Sequence, residues 1–540
     1  MGVERGWELA GSDGFGRLLL AELVNFLTVR AWKIALCAVV LVVVLGSVLS
    51  ALVSHQNNAG IPIGPDGEAV TDTYTFVHQA LAGDGTLTVR VTSLSGEHAT
   101  PAASGGGAGG APGGGSYSRP QPGLVPWAKA GIIFEPSTKQ GTDYAAVMVT
   151  GSHGVRMQYN YVHDSPGIAG AVVPSSPRWL RLTRAGDAIT GYDSADGTHW
   201  TAIGTARLTG LPRVIQIGLF ATSPVYFAAG SSSASPSAAT ATMDQVSARG
   251  DLPGHTWTAD QVASFYPSLP SASTSQQSAD AFTIGGSGDI APLVDGTVFS
   301  HWAGAAIVNG TVVGLVVVIV LAALLGTAEY RRKGVRTAPV VSLHPGQVLA
   351  ARAVVAGSLV FAAGAIATAI SEVTTRRVLA ANGNYLFPQS GLDLARVIIG
   401  TGLLLGLAAA FVVALGAMLR GRTATIVAGS VFLVLPGVLA TSFPGAVDWL
   451  MRLTPTAAFA IQATVPRSDL VSNAYTPYNG YFPIGPWAGL GVLVAYTAVA
   501  MGAASRLLLH RGHRHVHRGH RHAGQNEPYQ GPPHVPSEVS

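Results

Sequence analysis

The chain has 540 residues, 48% of them hydrophobic and only 11% charged, with a mean hydropathy of +0.36. That is too apolar for an ordinary soluble protein of this length and implies several membrane spans. A formal charge of +4 gives no basis for nucleic-acid binding, and the single cysteine, Cys37, excludes an internal disulfide and a cysteine-built zinc site.

The first 33 residues end in "GFGRLLLAELVNFLTVRAWK", which sets Phe15, Leu18, Leu19, Glu22, Phe26 and Val29 along a helix with Arg17, Arg30 and Lys33 interspersed. This pattern predicts a helix lying in the cytoplasmic interface of a membrane. An uncharged run follows from Ile34 to Val53. It is too long for the apolar core of a signal peptide, and "SALVSHQNN" is a poor cleavage site, so it is expected to stay as the first span.

Residues 54–304 change pattern completely. Short alternating runs such as "TYTFV", "GTLTVRVTSL", "AGIIFE", "YAAVMVT", "RWLRLTR" and "VIQIGLFATS" are separated by Gly, Pro, Asp and Ser turns. The period of two predicts an antiparallel sandwich or jelly roll, with a core over about residues 66–249. "SGGGAGGAPGGGS", Ser104 to Ser116, reads as a flexible insertion, and the Ser/Ala/Pro-rich stretch from Leu252 to Ser287 as a linker.

Five more uncharged runs follow in residues 305–508: Ala305 to Thr327, Ala353 to Ser371, Val397 to Leu419, Thr423 to about Val447, and Pro486 to Ser505. Each approaches or exceeds the ~20 residues a helix needs to cross a bilayer, where a mid-membrane charge costs about 2.5–3.5 kcal/mol. Pro436 and Pro444 are expected to kink or shorten the fifth span. Between the second and third spans the loop 328–352 holds Glu329, Tyr330, Arg331, Arg332, Lys333 and Arg336. Lysines and arginines number 16 on the side of this loop and the termini against 5 in the short loops on the other. That bias puts both termini and the loop in the cytoplasm and residues 54–304 outside the cell.

The tail, residues 509–540, is rich in His and Arg and is expected to be disordered. His513, His515, His517, His520 and His522 are candidates for loose metal chelation, without the surrounding structure of a built metal site. The four lysines, Lys33, Lys129, Lys139 and Lys333, are followed by Ile, Ala, Gln and Gly, so no phosphate-binding Gly-Lys-Ser/Thr exists. Neither HExxH nor GxSxG occurs, and the spans lack the buried charges of proton-coupled transporters. No cofactor is implied. The expected class is a polytopic α-helical membrane protein of six spans with an inserted all-β extracellular sandwich.

Two resemblances sharpen this. "WAKAGIIFEPST…YAAVMVTGSHGVRMQYNY", "WLRLTRAGDAITGYDSADGTHWTAIG" and "VIQIGLFATS" resemble the concanavalin-A-like, laminin-G-like sandwich of bacterial surface proteins. "SADGTHW", Ser194 to Trp200, resembles an Asp-box hairpin, with Trp200 expected to anchor the core. The sandwich resemblance implies a glycan-binding role, with Trp127, Tyr159, Tyr161 and Trp179 as candidates to stack on sugars. The competing reading puts the alternate aromatics of "MQYNY" in the core. Asp193 and Asp196 offer either a calcium site or plain turn chemistry. No strand carries the paired carboxylates of a glycosidase, and Glu135 and Asp143 are separated by a turn, so the domain is expected to bind rather than hydrolyse.

The interfacial helix, the spans, the Glu-Tyr-Arg-Arg loop and "HPGQVLAARAVV" together resemble the permease subunits of type-2 ABC exporters, in an actinobacterial subgroup. His344 and Pro345 depart from the usual arginines, and "LMRLTPTAAFAIQ" resembles that family's outer re-entrant segment. The resemblance implies that Glu329, Tyr330, Arg331, Arg332, Lys333 and Arg336 couple the chain to a cytoplasmic ATPase partner. It also implies dimers of permeases, homo- or heteromeric, in contact with membrane lipid and possible cell-wall glycan. The alternative is a membrane-tethered surface protein that binds or senses glycans without transport.

Overall fold

A computed structural model describes residues 5–54, 61–99, 120–227, 234–294, 303–328 and 345–523, apart from 255, 264–268, 270–271, 279–280, 444–445, 466, 473–476 and 478–479. Its helices are α1 (Arg5–Thr28), α2 (Arg30–Leu52), α3 (Ala303–Thr327), α4 (Pro345–Ala381), α5 (Gly391–Leu419), α6 (Arg422–Leu433), α7 (Leu435–Ser442), α8 (Val447–Leu453) and α9 (Pro486–Ala523). Among them, Arg30–Leu52, Gly304–Thr327, Gly346–Ala381, Gly391–Leu419, Arg422–Ala440 and Pro486–His510 are long and apolar enough to cross a membrane.

These helices approach one another through small residues. A Cβ on Gly406 of α5 would fall 2.6 Å from the Gly357 carbonyl of α4, and one on Gly310 of α3 would fall 2.4 Å from the Val43 carbonyl of α2. Where lipid offers no hydrophobic drive between helices, such backbone approach and its dispersion contacts hold the bundle. Arg420 ends α5 in the left-handed region (φ 58), turning the chain within two residues into α6. The fifth span breaks at Val434, because Pro436 lacks an N–H and its ring clashes with the preceding turn. After α8, a 3-10 helix at Pro455–Gln462 is buried at all eight residues, and neither piece is long enough to cross a bilayer. The last helix keeps helical backbone through the His/Arg-rich stretch to Ala523, where irregular chain was expected. No proline interrupts it before residue 523.

Two antiparallel sheets face each other between α2 and α3. The first runs, in order, Thr258–Val262, the start of the long strand Tyr74–His98, Val214–Thr222, Lys129–Glu135, Ala145–Thr150, Val155–Tyr159 and His163–Pro166. The second runs Thr201–Arg207, Ala188–Ser194, Arg178–Ala185, the end of Tyr74–His98, Ser237–Asp251, Ala281–Gly286 and Ser273–Ser278. One strand thus serves both layers, its pairing switching sheets near Gly83 and Gly85. Alternate residues point inward, so Val77, Ile132, Phe134, Val147 and Leu219 meet Leu87, Val89, Leu180, Leu182 and Met243 in one core. Strands at Ala281–Gly286 and Ser273–Ser278 lie in the stretch read from the sequence as a linker. The stretch completes the second sheet.

Candidate functional site

The break in the fifth span opens the bundle. Between α3, the α6–α7 junction and the buried 3-10 helix lies an apolar cavity of about 250 Å³, lined by Val308, Val312, Leu433, Val434, Val438, Phe459 and Phe482 among others. Its polar neighbours are already engaged. Asn309 donates to Ser50 Oγ at 3.0 Å, and the Thr456 hydroxyl lies 2.5 Å from that of Thr454. A second cavity, of about 560 Å³, adjoins it through the shared wall of Phe482. Asp393, Arg396, Asp448, Arg467 and Tyr481 line it, so its chemistry is ionic where the first is hydrocarbon. Arg396 donates to the Ala463 carbonyl at 2.6 Å and pairs with Asp393 at 3.1 Å, and its Nε is buried without a hydrogen bond.

At the opposite end of the bundle, Glu22 of α1 pairs with Arg352 of α4 at 3.0 Å, both less than a fifth exposed. Phe26 stacks on Trp32 with centroids 5.4 Å apart. The first helix is thereby tied to the residues that follow the basic loop. Glu329, Tyr330, Arg331, Arg332, Lys333 and Arg336 themselves lie outside the described residues, as do the side chains of His513, His515, His517, His520 and His522. Among the described residues no group of three or more His, Cys, Asp or Glu could hold a metal.

One buried carboxyl escaped the sequence reading. Glu372 is 3% exposed, and its Oε2 has no hydrogen bond; neither do the buried Ser371 Oγ and Thr375 Oγ1 beside it. The uncharged run was cut at Ser371, yet α4 continues ten residues further to Ala381. A helix-period reading carried past the first charge would have found it.

The sandwich separates the four aromatic candidates. Tyr161 is 1% exposed, and its hydroxyl donates to Asp72 Oδ2 at 2.8 Å; it cannot stack on a sugar. Tyr159 packs against the inter-sheet core and stacks on His163 at 4.3 Å. Its neighbour points elsewhere because Asn160 and Tyr161 adopt φ of 45° and 64°, ending the alternation that would have put both tyrosines on one face. Trp127 is 5% exposed, covered by His153 at 3.9 Å and flanked by Lys129 and Arg156. Tyr161 and Trp127 are thus buried within the sandwich, whereas Tyr159 is half-buried.

Trp179 remains, on the outer face of the second sheet. The Arg90 guanidinium lies 5.7 Å from its ring centroid and is itself paired with Asp244. Trp200 also lies on this side rather than in the core. Arg181 stacks over it at 3.7 Å, and its indole donates to the Gly197 carbonyl at 3.0 Å. Gly197 is required twice over, by its φ of +78° and because a Cβ would fall 2.6 Å from Trp179. The hairpin's carboxylates serve the backbone: Asp196 accepts from the amides of Thr198 and His199, and Asp193 from that of Ile168. The His199 ring, 2.7 Å from Asp196 Oδ2, together with the His199 and Thr198 amides, holds Asp196 well below the usual carboxylate range. Turn chemistry accounts for Asp196, whereas Asp193, in the strand, holds the distant segment at Ile168.

Behind the first sheet lies a sealed polar cluster. Tyr74 donates to Glu135 at 2.5 Å, Tyr161 and the Gly141 amide donate to Asp72, and Lys129 bonds Asp289 at 2.7 Å and the Ile290 carbonyl at 2.6 Å. Burial pushes Asp72 up to about 6, with the Tyr161 and Gly141 bonds pulling the other way. It also raises Glu135 against the pull of Tyr74, and Asp289 against that of Lys129. Glu135 and Asp289 are both at most 5% exposed, so the cluster holds the fold and has no opening for a substrate.

No family model matches the chain, and no curated protein does. Among solved structures, it is similar to a functionally unknown protein from Saccharomyces cerevisiae at 13% identity, over 37% of this chain and 86% of that one, with a TM-score of 0.21. It is similar to a GH43 protein from Bacillus licheniformis at 16% identity, over 28% and 26%, with a TM-score of 0.15. Scytalido-glutamic peptidase with a transition-state analog inhibitor matches at 8% identity, over 40% and 98%, with a TM-score of 0.24. At these scores none bears on what this chain does. Among the described residues the chain has six helices long and apolar enough to cross a membrane, together with a large antiparallel sandwich.

Proposed function

We propose that the chain is the membrane-spanning subunit of an ABC-type exporter, energised by a separate cytoplasmic ATPase, with a lectin-like extracellular domain. The apolar cavity at the broken fifth span carries this reading. It supplies a partly open apolar recess for a cargo beside the bundle, walled by a segment of the kind the permease resemblance implies. The Glu22–Arg352 pair supports the same reading, since it fastens the interfacial helix to the first turns after the basic loop. Movement imposed on that loop by a partner would be carried into α4.

The test is association with the ATPase and export, each measured at matched membrane levels. Glu329→Gln and Tyr330→Ala keep every positive charge, so insertion is unchanged. On the coupling reading, loss of a buried Tyr contact is worth about 2 kcal/mol, roughly thirtyfold in ATPase affinity. Parent-like association and export by both variants would leave the loop as a topology signal alone. A chain that never brings down an ATPase would favour the second reading, a tethered glycan-binding protein. That reading draws on the Trp179, Arg90, Trp200 and Arg181 array on the exposed face of the second sheet.

A further inference from the structure

We infer that the two cavities that share Phe482 as a wall act as one bipartite site for a single-chain zwitterionic amphiphile. The hydrocarbon tail occupies the apolar cavity and the headgroup the ionic one. This deepens the export reading by naming the class of cargo.

Each half excludes what the other accepts. In the smaller cavity Asn309 and Thr456 already have partners, so a polar group entering it would lose its water and gain nothing. A hydrocarbon chain would lose only water contact there. The larger cavity is lined by charges of both signs, Arg396 and Arg467 with Asp393 and Asp448, of which Arg396 pairs with Asp393 at 3.1 Å and Arg467 with Asp469 at 3.7 Å. A head of either single sign would meet repulsion from half of them, whereas a zwitterion presents one charge to each set. The groups are not all satisfied internally. Asp448, on the exposed side of the cavity, has no ion-pair partner among the described residues. Volumes of about 250 and 560 Å³ suit one chain and one head, within the roughly 300–1,000 Å³ of small-molecule sites.

The probe is radiolabelled n-alkylphosphocholine of eight to twelve carbons, bound to the purified full-length chain in nanodiscs and corrected for uptake by empty nanodiscs. Binding should saturate and tighten about fourfold per methylene until the apolar cavity is filled. Val438→Trp, at a position 54% exposed and so tolerant of bulk, should weaken it at least tenfold. Asp448→Asn should weaken the phosphocholine while improving an alkyl sulfonate of equal length. Glycerophosphocholine, the head alone, should not compete. Non-saturating uptake, parent-like binding by Val438→Trp, or an unchanged head preference in Asp448→Asn would each overturn the assignment. The assay contains no ATPase. A chain that brings down its ATPase but binds no amphiphile refutes this site and leaves export standing. One that binds amphiphile without an ATPase does the reverse.

Discussion

The sandwich and the helix bundle bury polar and backbone groups in opposite ways. The sandwich encloses whole side chains, Lys129 with Asp289, Tyr74 with Glu135 and Tyr161 with Asp72, each pair spanning segments far apart in sequence. The bundle keeps most ionisable groups at its ends and brings backbones together where glycine allows, as at Gly357 and Gly406. The difference follows from the surroundings. A domain in water gains by burying apolar area and can hold a polar pair inside if every partner is met. Helices in lipid gain little from apolar burial against each other, so close fit must supply the attraction.

The sharpest way to break that contrast is to remove one member of a buried pair. Lys129 is fully buried, and Lys129→Ala would strand Asp289 without its cation. Such a loss costs about 3–5 kcal/mol. Hydrogen exchange of peptides from the Tyr74–His98 strand should accelerate strongly, while peptides from α4 and α5 keep the parent rate. Equal acceleration in both regions would mean that they unfold as one unit.

Acidity should separate the regions next. Asp72 titrates near 6 in the fold and near 3.8 unfolded, so the folded state holds a proton that the unfolded chain has released. Its contribution is complete below about pH 4 and is lost as pH rises through 6, about 3 kcal/mol in all. The sandwich of the full-length protein should therefore exchange more slowly at pH 5 than at pH 7.5, after correction for the intrinsic rate. Asp72→Asn should remove most of that difference. Both hydrogen bonds converge on Oδ2, so an amide oxygen in its place can still accept them. An undiminished pH effect in this variant would shift the cause to Glu135, whose carboxyl is raised by the same burial.

The same contrast explains how much was legible in the sequence. Six spans could be read because a single charge in mid-bilayer costs so much that the runs stay clean. The strands could be read because one face of each is buried. What failed was the facing of individual side chains. Tyr159 and Tyr161 alternate correctly on paper, but the positive φ at Asn160 and Tyr161 is decided by the turn, where Asn160 Oδ1 accepts from the Tyr144 amide at 3.3 Å. Trp200 sits outside the core because Arg181 covers it, a contact between strands that no local pattern encodes. The cavities were equally hidden. Pro436 announced a break in the fifth span, but not that α3 and a buried 3-10 helix would leave space beside it.

The smallest expected effect tests the bundle side of the contrast. Gly406→Ala adds one methyl group where a Cβ would stand 2.6 Å from the Gly357 carbonyl and 3.1 Å from Phe361 Cβ. The nearer contact is backbone, so α4 and α5 must separate rather than a side chain rotate away. Overpacking of this kind costs about 1–3 kcal/mol. Exchange should quicken in peptides of α4 and α5 and stay unchanged in the sandwich, the converse of Lys129→Ala. Gly491 offers the control, because its added Cβ would meet nothing within 4 Å on α9. In a helix the intrinsic preference for alanine over glycine is about 1 kcal/mol, so Gly491→Ala should leave α9 as stable as before or slightly more so. If Gly406→Ala behaves like Gly491→Ala, then close backbone approach is not what holds these helices, and the contrast with the sandwich fails on the bundle's side.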